Sequence, residues 1–272
     1  TDSEIWFATG GADVVQFSSD GERLMATDHE TCEFRVWTLH RENDARAQTS
    51  LLDRSAHASV ELDFPVQAWQ AHDGRCYDIA VLPEGTLPLV STGEDGVLRF
   101  WDPRHPSAVE VLLARSGESD QPIDLCADSA DDRFAAVTND GLYLFHSDGS
   151  QLQLEWSLRG TDFNAVAIDP GSHLIASGHL DGSIRIWQRG RTEPVAEWQN
   201  SSEGPVSHLR FAKSPSEPVL AVKQSNRSVL LFDMRGGLVG EIPDISKGGY
   251  ECSPDGTMIA LMRENNVILW DV

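Results

Sequence analysis

Lysine is nearly missing from this chain: of its 21 basic residues, only Lys213, Lys223 and Lys247 are lysines. No run of five basic residues occurs, and acidic residues outnumber basic ones 43 to 21, for a formal charge of −22. A field of that sign repels nucleic-acid phosphates and anionic lipid heads, so nucleic acid and membrane are excluded as expected partners. The arginine bias points to GC-rich bacterial coding sequence. Long apolar runs are also absent, and none approaches the 18 or more residues of a membrane-spanning helix. The opening TDSEIWFATG has neither the basic nor the apolar region of a secretory leader. Lacking an initiator methionine, it suggests a piece of a larger protein. Cysteine is sparse: Cys32, Cys76, Cys126 and Cys252 form no CxxC pair, and three of them lie in apolar strand-like runs. The expectation is of free thiols acting as small core residues in a reducing, cytoplasmic setting, with no metal site. No GxSxG nucleophile elbow is present.

What the chain does have is repetition. Six segments share one pattern: an apolar strand, a polar turn, a second strand, a turn, and a strand closing on an aromatic. The closing residues are Trp37, Trp101, Phe145, Trp187, Phe232 and Trp270, spaced by 64, 44, 42, 45 and 38 residues. Four of these intervals match the roughly 40–45 residues of one four-stranded propeller blade. The long first interval needs an insertion, supplied by the polar residues 38–63. Short runs rich in Val, Ile, Phe and Trp, broken by DG, NDG and PG turns, argue for an all-β chain. Between units lies a further short strand, marked in four cases by Trp6, Trp69, Trp156 and Trp198. Trp6 has no strands before it to complete, and ILWDV at the other end lacks a fourth strand. The N-terminal strand is therefore expected to finish the last sheet and leave no open edge.

QAHDGRCYDIAV followed by LVSTGEDGVLRFWD resembles the WD-repeat family, and the resemblance extends over nearly the whole chain outside 38–63. It implies a β-propeller, a single domain over 1–272, and a buried hydrogen-bond network. In that network the Trp101 indole N–H meets Ser91, Ser91 meets His72, and Asp95 accepts from His72. The fourth unit matches with Ser177, Asp181 and Trp187 but has Thr161 in the histidine position. The others are more eroded, with Asp140, Asn226, Glu264 and Thr31 at or near the turn acid. The expected architecture is six four-stranded blades. A seventh blade in degenerate sequence, or one supplied by another chain, remains open.

No catalytic residue is expected. Ser91, His72 and Asp95 carry the residue types of a nucleophile, base and orienting acid, but the structural network accounts for them in full. Asp28, His29, Glu30 and Cys32 read as a polar turn. The implied function is a cofactor-free protein or peptide interaction scaffold, probing partners with one ring face, as a monomeric propeller fused to or assembled with other domains. The candidate face residues are Arg75, Glu94, Asp162, Asn164, His179, Glu203, Lys247 and Arg263. Two rivals stand beside it. A propeller enzyme of lactonase or glycosidase type would draw on Asp78, Asp124, His208 and Glu251 along the innermost strands, and an assembly subunit would take a blade from its partner.

Overall fold

The computed structural model describes residues 5–8, 14–17, 23–27, 34–38, 72, 76–81, 89–95, 97–102, 105–112, 122–127, 133–138, 141–147, 152–170, 172–199, 204–213, 218–224, 228–243, 250–253, 258–263 and 266–271. Among these there is no helix, and every element is an antiparallel strand.

The strands form six sheets arranged as a β-propeller. The first holds β2 (Val14–Phe17), β3 (Arg23–Thr27) and β4 (Phe34–Thr38). Next come β5 (Cys76–Val81), β6 (Leu89–Gly93), β7 (Val97–Asp102) and β8 (His105–Leu112), then β9 (Pro122–Ala127), β10 (Arg133–Thr138), β11 (Gly141–Ser147) and β12 (Leu152–Arg159). The following sheets are β13 (Phe163–Ile168), β14 (Leu174–His179), β15 (Ser183–Gln188), β16 (Ala196–Gln199), and β17 (His208–Lys213), β18 (Pro218–Lys223), β19 (Val229–Phe232), β20 (Leu238–Ile242). The last joins β21 (Tyr250–Cys252), β22 (Met258–Arg263) and β23 (Asn266–Asp271) to the N-terminal strand β1 (Ile5–Ala8).

β1 completes that sheet antiparallel to β23, with Ile5 opposite Leu269 and Trp6 opposite Ile268. The edge that β23 would otherwise expose is thus covered from the far end of the chain. The innermost strands touch in a closed circuit, β2 to β5, β9, β13, β17, β21 and back to β2.

Six four-stranded blades were expected; five sheets have four strands, and β2–β3–β4 has three among the described residues. The segment assigned to its fourth strand, around Trp69, and nearly all of the insertion at 38–63 lie outside the described residues.

Burial explains the sequence texture. Strands in the middle of a sheet are covered on both faces by neighbouring blades, so β14 (LIASGH) is buried at five of its six positions. The outermost strand β16 (AEWQ) alternates half-buried and exposed, the period of a strand with one wet face. One apolar cluster, including Leu144, Val166, Ile184, Trp187, Leu209 and Phe232, runs across three successive blades.

The expectation of four reduced thiols is corrected at Cys76. Cys126 and Cys252 are free and buried, but Cys76 is disulfide-bonded. A cross-link made by folding leaves no short cysteine spacing to read, and the ground for a reducing compartment falls with it. Among the described residues, no helix is long and apolar enough to cross a membrane.

Candidate functional site

Two buried networks and one axial cluster organise the inside of the ring. In the second sheet, His72 Nε2 lies 2.7 Å from Ser91 Oγ and its Nδ1 lies 2.9 Å from Asp95 Oδ1. Asp95 sits in the β6–β7 turn, where its carboxylate also accepts from the Val97 backbone N–H and pairs with Arg99. Burial lowers the basicity of His72, and the hydrogen bond it donates to Asp95 partly restores it. The order Ser–His–Asp is that of an acyl-transfer triad, but Ser91 is 0% exposed. With no open space around Oγ, no carbonyl can reach it, and the group acts as a structural clasp. The Trp101 side chain, its expected fourth member, lies outside the described residues.

The fourth sheet builds the same clasp differently. Trp187 Nε1 donates to Ser177 Oγ at 2.8 Å, and Ser177 Oγ lies 2.9 Å from His179 Nε2. An indole N–H can only donate, so the Ser177 oxygen accepts from Trp187 and keeps its own proton free to meet the histidine. Asp181 instead accepts from the Ser183 backbone N–H at 2.8 Å, and Ser183, through its side chain and its backbone, holds the Asp181 carboxyl below the usual range. Gly182, at φ 83°, makes the turn behind it possible.

His179 was expected on the partner-binding face. It is instead 1% exposed and lies against the Phe163 ring at 4.9 Å. Register supplies the reason: His179 pairs with Phe163 as Gly93 pairs with Cys76 in the second sheet. A side chain at Gly93 would collide with the His72 ring, at 2.4 Å from its Cγ. The second blade therefore brings its histidine from the entering loop into space a glycine vacates. The fourth, with Thr161 in that loop, fills the space from the strand itself. The signal was in the sequence: the missing loop histidine coincides with a histidine two residues after Ser177.

The axis was read as a scatter of candidates, and folding brings them together. Counting from the residue opposite each closing aromatic, the register aligns Gln16, Ala80, Cys126, Ala167, Arg210 and Glu251 in one tier. Arg210, 2% exposed, crosses the axis. Its Nε donates to Glu251, its Nη1 to the Val166 and Leu209 carbonyls, and its Nη2 to the Leu125 carbonyl. Asp78 and Asp124 approach its two Nη atoms at 3.7 Å. Arg210 was not among the expected residues, although an arginine set between Leu209 and Phe211 in the middle of an innermost strand marks it.

Side chains of this region also stitch one blade to the next. Asp78 accepts from the Leu125 N–H at 2.8 Å and Asp124 from the Val166 N–H at 2.7 Å. Asn164 donates to the Val206 carbonyl at 2.8 Å, and His208 Nε2 donates to the Tyr250 carbonyl at 2.7 Å. Asn164 is therefore a half-buried positioning residue between blades. His208 is held neutral by burial. A substrate entering along the axis would meet Arg210 and its partners already saturated by protein groups. Among the described residues, no group of three or more His, Cys, Asp or Glu could hold a metal ion.

On the ring face itself, Glu94, Asp162 and Asp181 are exposed. Asp162 has φ 74°, a left-handed conformation that Asp tolerates better than most residues. Its carbonyl accepts from the Leu180 N–H at 2.9 Å, which ties the loop before β13 to the β14–β15 turn. Leu180, 45% exposed, thus stands between Asp162 and Asp181. Arg75, Glu203, Lys247 and the Arg263 side chain lie outside the described residues.

The model of one repeat family, the WD domain or G-beta repeat, matches residues 64–102 and 152–188. These two stretches contain the Ser91 and Ser177 networks. No curated protein matches the chain.

Proposed function

The chain is a WD-repeat β-propeller, and from that premise we propose that it works as a non-catalytic scaffold binding a protein or peptide on the face that carries Glu94, Asp162, Leu180 and Asp181. The observation that carries this reading is the placement of the chemistry. Among the described residues, the serine and histidine groups of the two clasps and the Glu251 carboxylate at the axis are buried and bonded to other protein groups. Among the described residues of that face, Leu180 is exposed between Asp162 and Asp181, and Glu94 is exposed in the corresponding turn of the second sheet. Binding energy in such surfaces concentrates in a few apolar anchors within a polar rim. Three acids and a formal charge of −22 favour a partner segment bearing Arg or Lys beside an apolar side chain.

The propeller is proposed as one domain over 1–272, a ring of six blades. The sequence holds no basic run that would favour nucleic acid or a membrane surface.

The test is a comparison of wild type with Asp162→Lys/Leu180→Asp, both shown folded by thermal unfolding. A panel of basic-hydrophobic, acidic and neutral peptides is titrated against each by calorimetry. The scaffold reading expects the basic-hydrophobic class to bind wild type and to weaken at least about 10-fold with the variant, the loss of one good anchor. Equal binding by both proteins, or binding of none of the three classes, overturns it.

A further inference from the structure

Cys76 opens β5, the innermost strand of the second blade, and is disulfide-bonded, whereas Cys126 and Cys252 are free. Of the four cysteines in the chain, the one that remains is Cys32. It lies outside the described residues, in the sequence between β3 and β4 of the first sheet.

The repeat leads to the same pair without counting thiols. Cys32 stands five residues before the closing Trp37, as Gly182 stands five before Trp187. Cys76 stands four residues before Ala80 of the axial tier, as Val206 stands four before Arg210. Between the fourth and fifth blades these two equivalents sit side by side. The Gly182 and Val206 N–H groups both donate to the His179 carbonyl, at 3.1 and 3.0 Å. Two donors on one acceptor bring their residues within reach of the roughly 4.4–6.8 Å between Cα atoms that a disulfide spans. The first and second blades are neighbours in the same sense, since β2 touches β5.

This seam also has the most to gain from a cross-link. From a third strand to the next innermost strand, the chain runs through residues 189–207 between the fourth and fifth blades, but through 39–75 between the first and second. A longer connection costs more entropy to close, and a bond across it removes that freedom from the unfolded chain.

We infer that Cys76 is bonded to Cys32, and that this bond is a covalent staple across the seam of the first and second blades. It forms by thiol–disulfide exchange: the two thiols give up two protons and two electrons to a donor disulfide, which leaves as two thiols. Cys76 pairs with Gly93, whose missing side chain makes room for the His72 ring. The staple therefore holds the strand end at which the His72 clasp closes. A dithiol reductant reverses the exchange, frees that end and lowers the stability of the ring.

The experiment holds the native chain in a buffer of oxidised and reduced glutathione, then unfolds and alkylates it without further reductant. Only the Cys126 and Cys252 thiols should react, and peptide mapping should find the Cys32 and Cys76 peptides linked as one species that separates on reduction. Dithiothreitol should lower the Tm of wild type by at least about 5 °C, in keeping with a cross-link that closes a long loop. Cys32→Ala, which leaves the buried Cys76 in place, should start from the lowered Tm and not respond to dithiothreitol. Four reactive thiols overturn the inference, as does a Cys76 peptide linked to any other cysteine or to a second copy of the chain. Equal Tm for wild type and Cys32→Ala overturns it too. Should Cys32→Ala fail to fold, the peptide map of wild type decides. No readout depends on partner binding, so this result stands apart from that of the peptide titrations.

Discussion

At Trp187 the indole N–H has one partner, the Ser177 hydroxyl, inside a sheet that water does not enter. Trp187→Phe keeps most of the apolar contact and leaves the serine one donor short. It should cost roughly 1–3 kcal/mol in chemical denaturation, the range for an unsatisfied buried polar group. Trp187→Ala adds a cavity and should cost about 3–5 kcal/mol. His179 in the same network makes a pH prediction. Burial lowers its folded-state pKa to about 4, with Arg185 adding to the effect. Between that value and the ordinary one near 6.5, the unfolded chain binds a proton that the folded chain refuses, so stability rises with pH across this window. Thermal melts from pH 4 to 6.5 should show this rise, and His179→Gln should reduce it. Sequence reading found Ser177 and Trp187 by motif but sent His179 to the surface. The pattern tests for a histidine in the entering loop and cannot register one that reaches the same space from the strand.

At the scale of single elements, the exchange between Gly93 and His179 can be tested directly. Thr161→His with His179→Gly rebuilds in the fourth blade the arrangement of the second. Its Tm should recover a large part of what His179→Gly alone loses; no recovery would show that the two positions do not compete for one space. β1 gives a second prediction. Its four residues pair with β23 through Ile5, Trp6, Phe7 and Ala8. Removing residues 1–9 exposes an unpaired edge on the last sheet, where trimming a frayed terminus would change little. A fall in Tm of at least about 5 °C is expected, since each kcal/mol moves a domain of this size by roughly 2–4 °C. This closure was legible in the sequence because a solitary fourth strand at one end complements a missing one at the other. Strand type was legible too: runs of Val, Ile and Phe between Asp-Gly turns admit no helix of useful length. The fourth strand of the β2–β3–β4 sheet, expected around Trp69, lies outside the described residues.

For the whole molecule, the axis sets a pH dependence opposite in sign to that of His179. Burial pushes the Glu251 carboxyl up to about 7 even beside Arg210. From its ordinary value near 4.5 up to that point, the folded state holds a proton the unfolded state has released. The stability this group contributes is complete below about 4.5 and is lost as pH rises toward 7. Glu251→Gln removes the titration, so its stability relative to wild type should improve as pH goes from 5 to 8 in paired denaturant titrations. A difference that stays constant with pH would mean that Glu251 is ionised throughout. Arg210 explains why such a group is tolerated at all, because it bonds to blades that lie 41 to 85 residues away in the chain.

The order of strands, their antiparallel pairing, the ring's closure by its first strand and the identity of one buried clasp were decided by sequence. Each rests on local periodicity or on residue types at fixed short spacing, which a linear reading preserves. Where His179 points, that Cys76 is cross-linked, and that Asp78, Asp124, Glu251 and Arg210 share one interior were decided by tertiary structure. Those facts depend on which side chains meet across strands and blades, and meeting in space leaves no period along the chain.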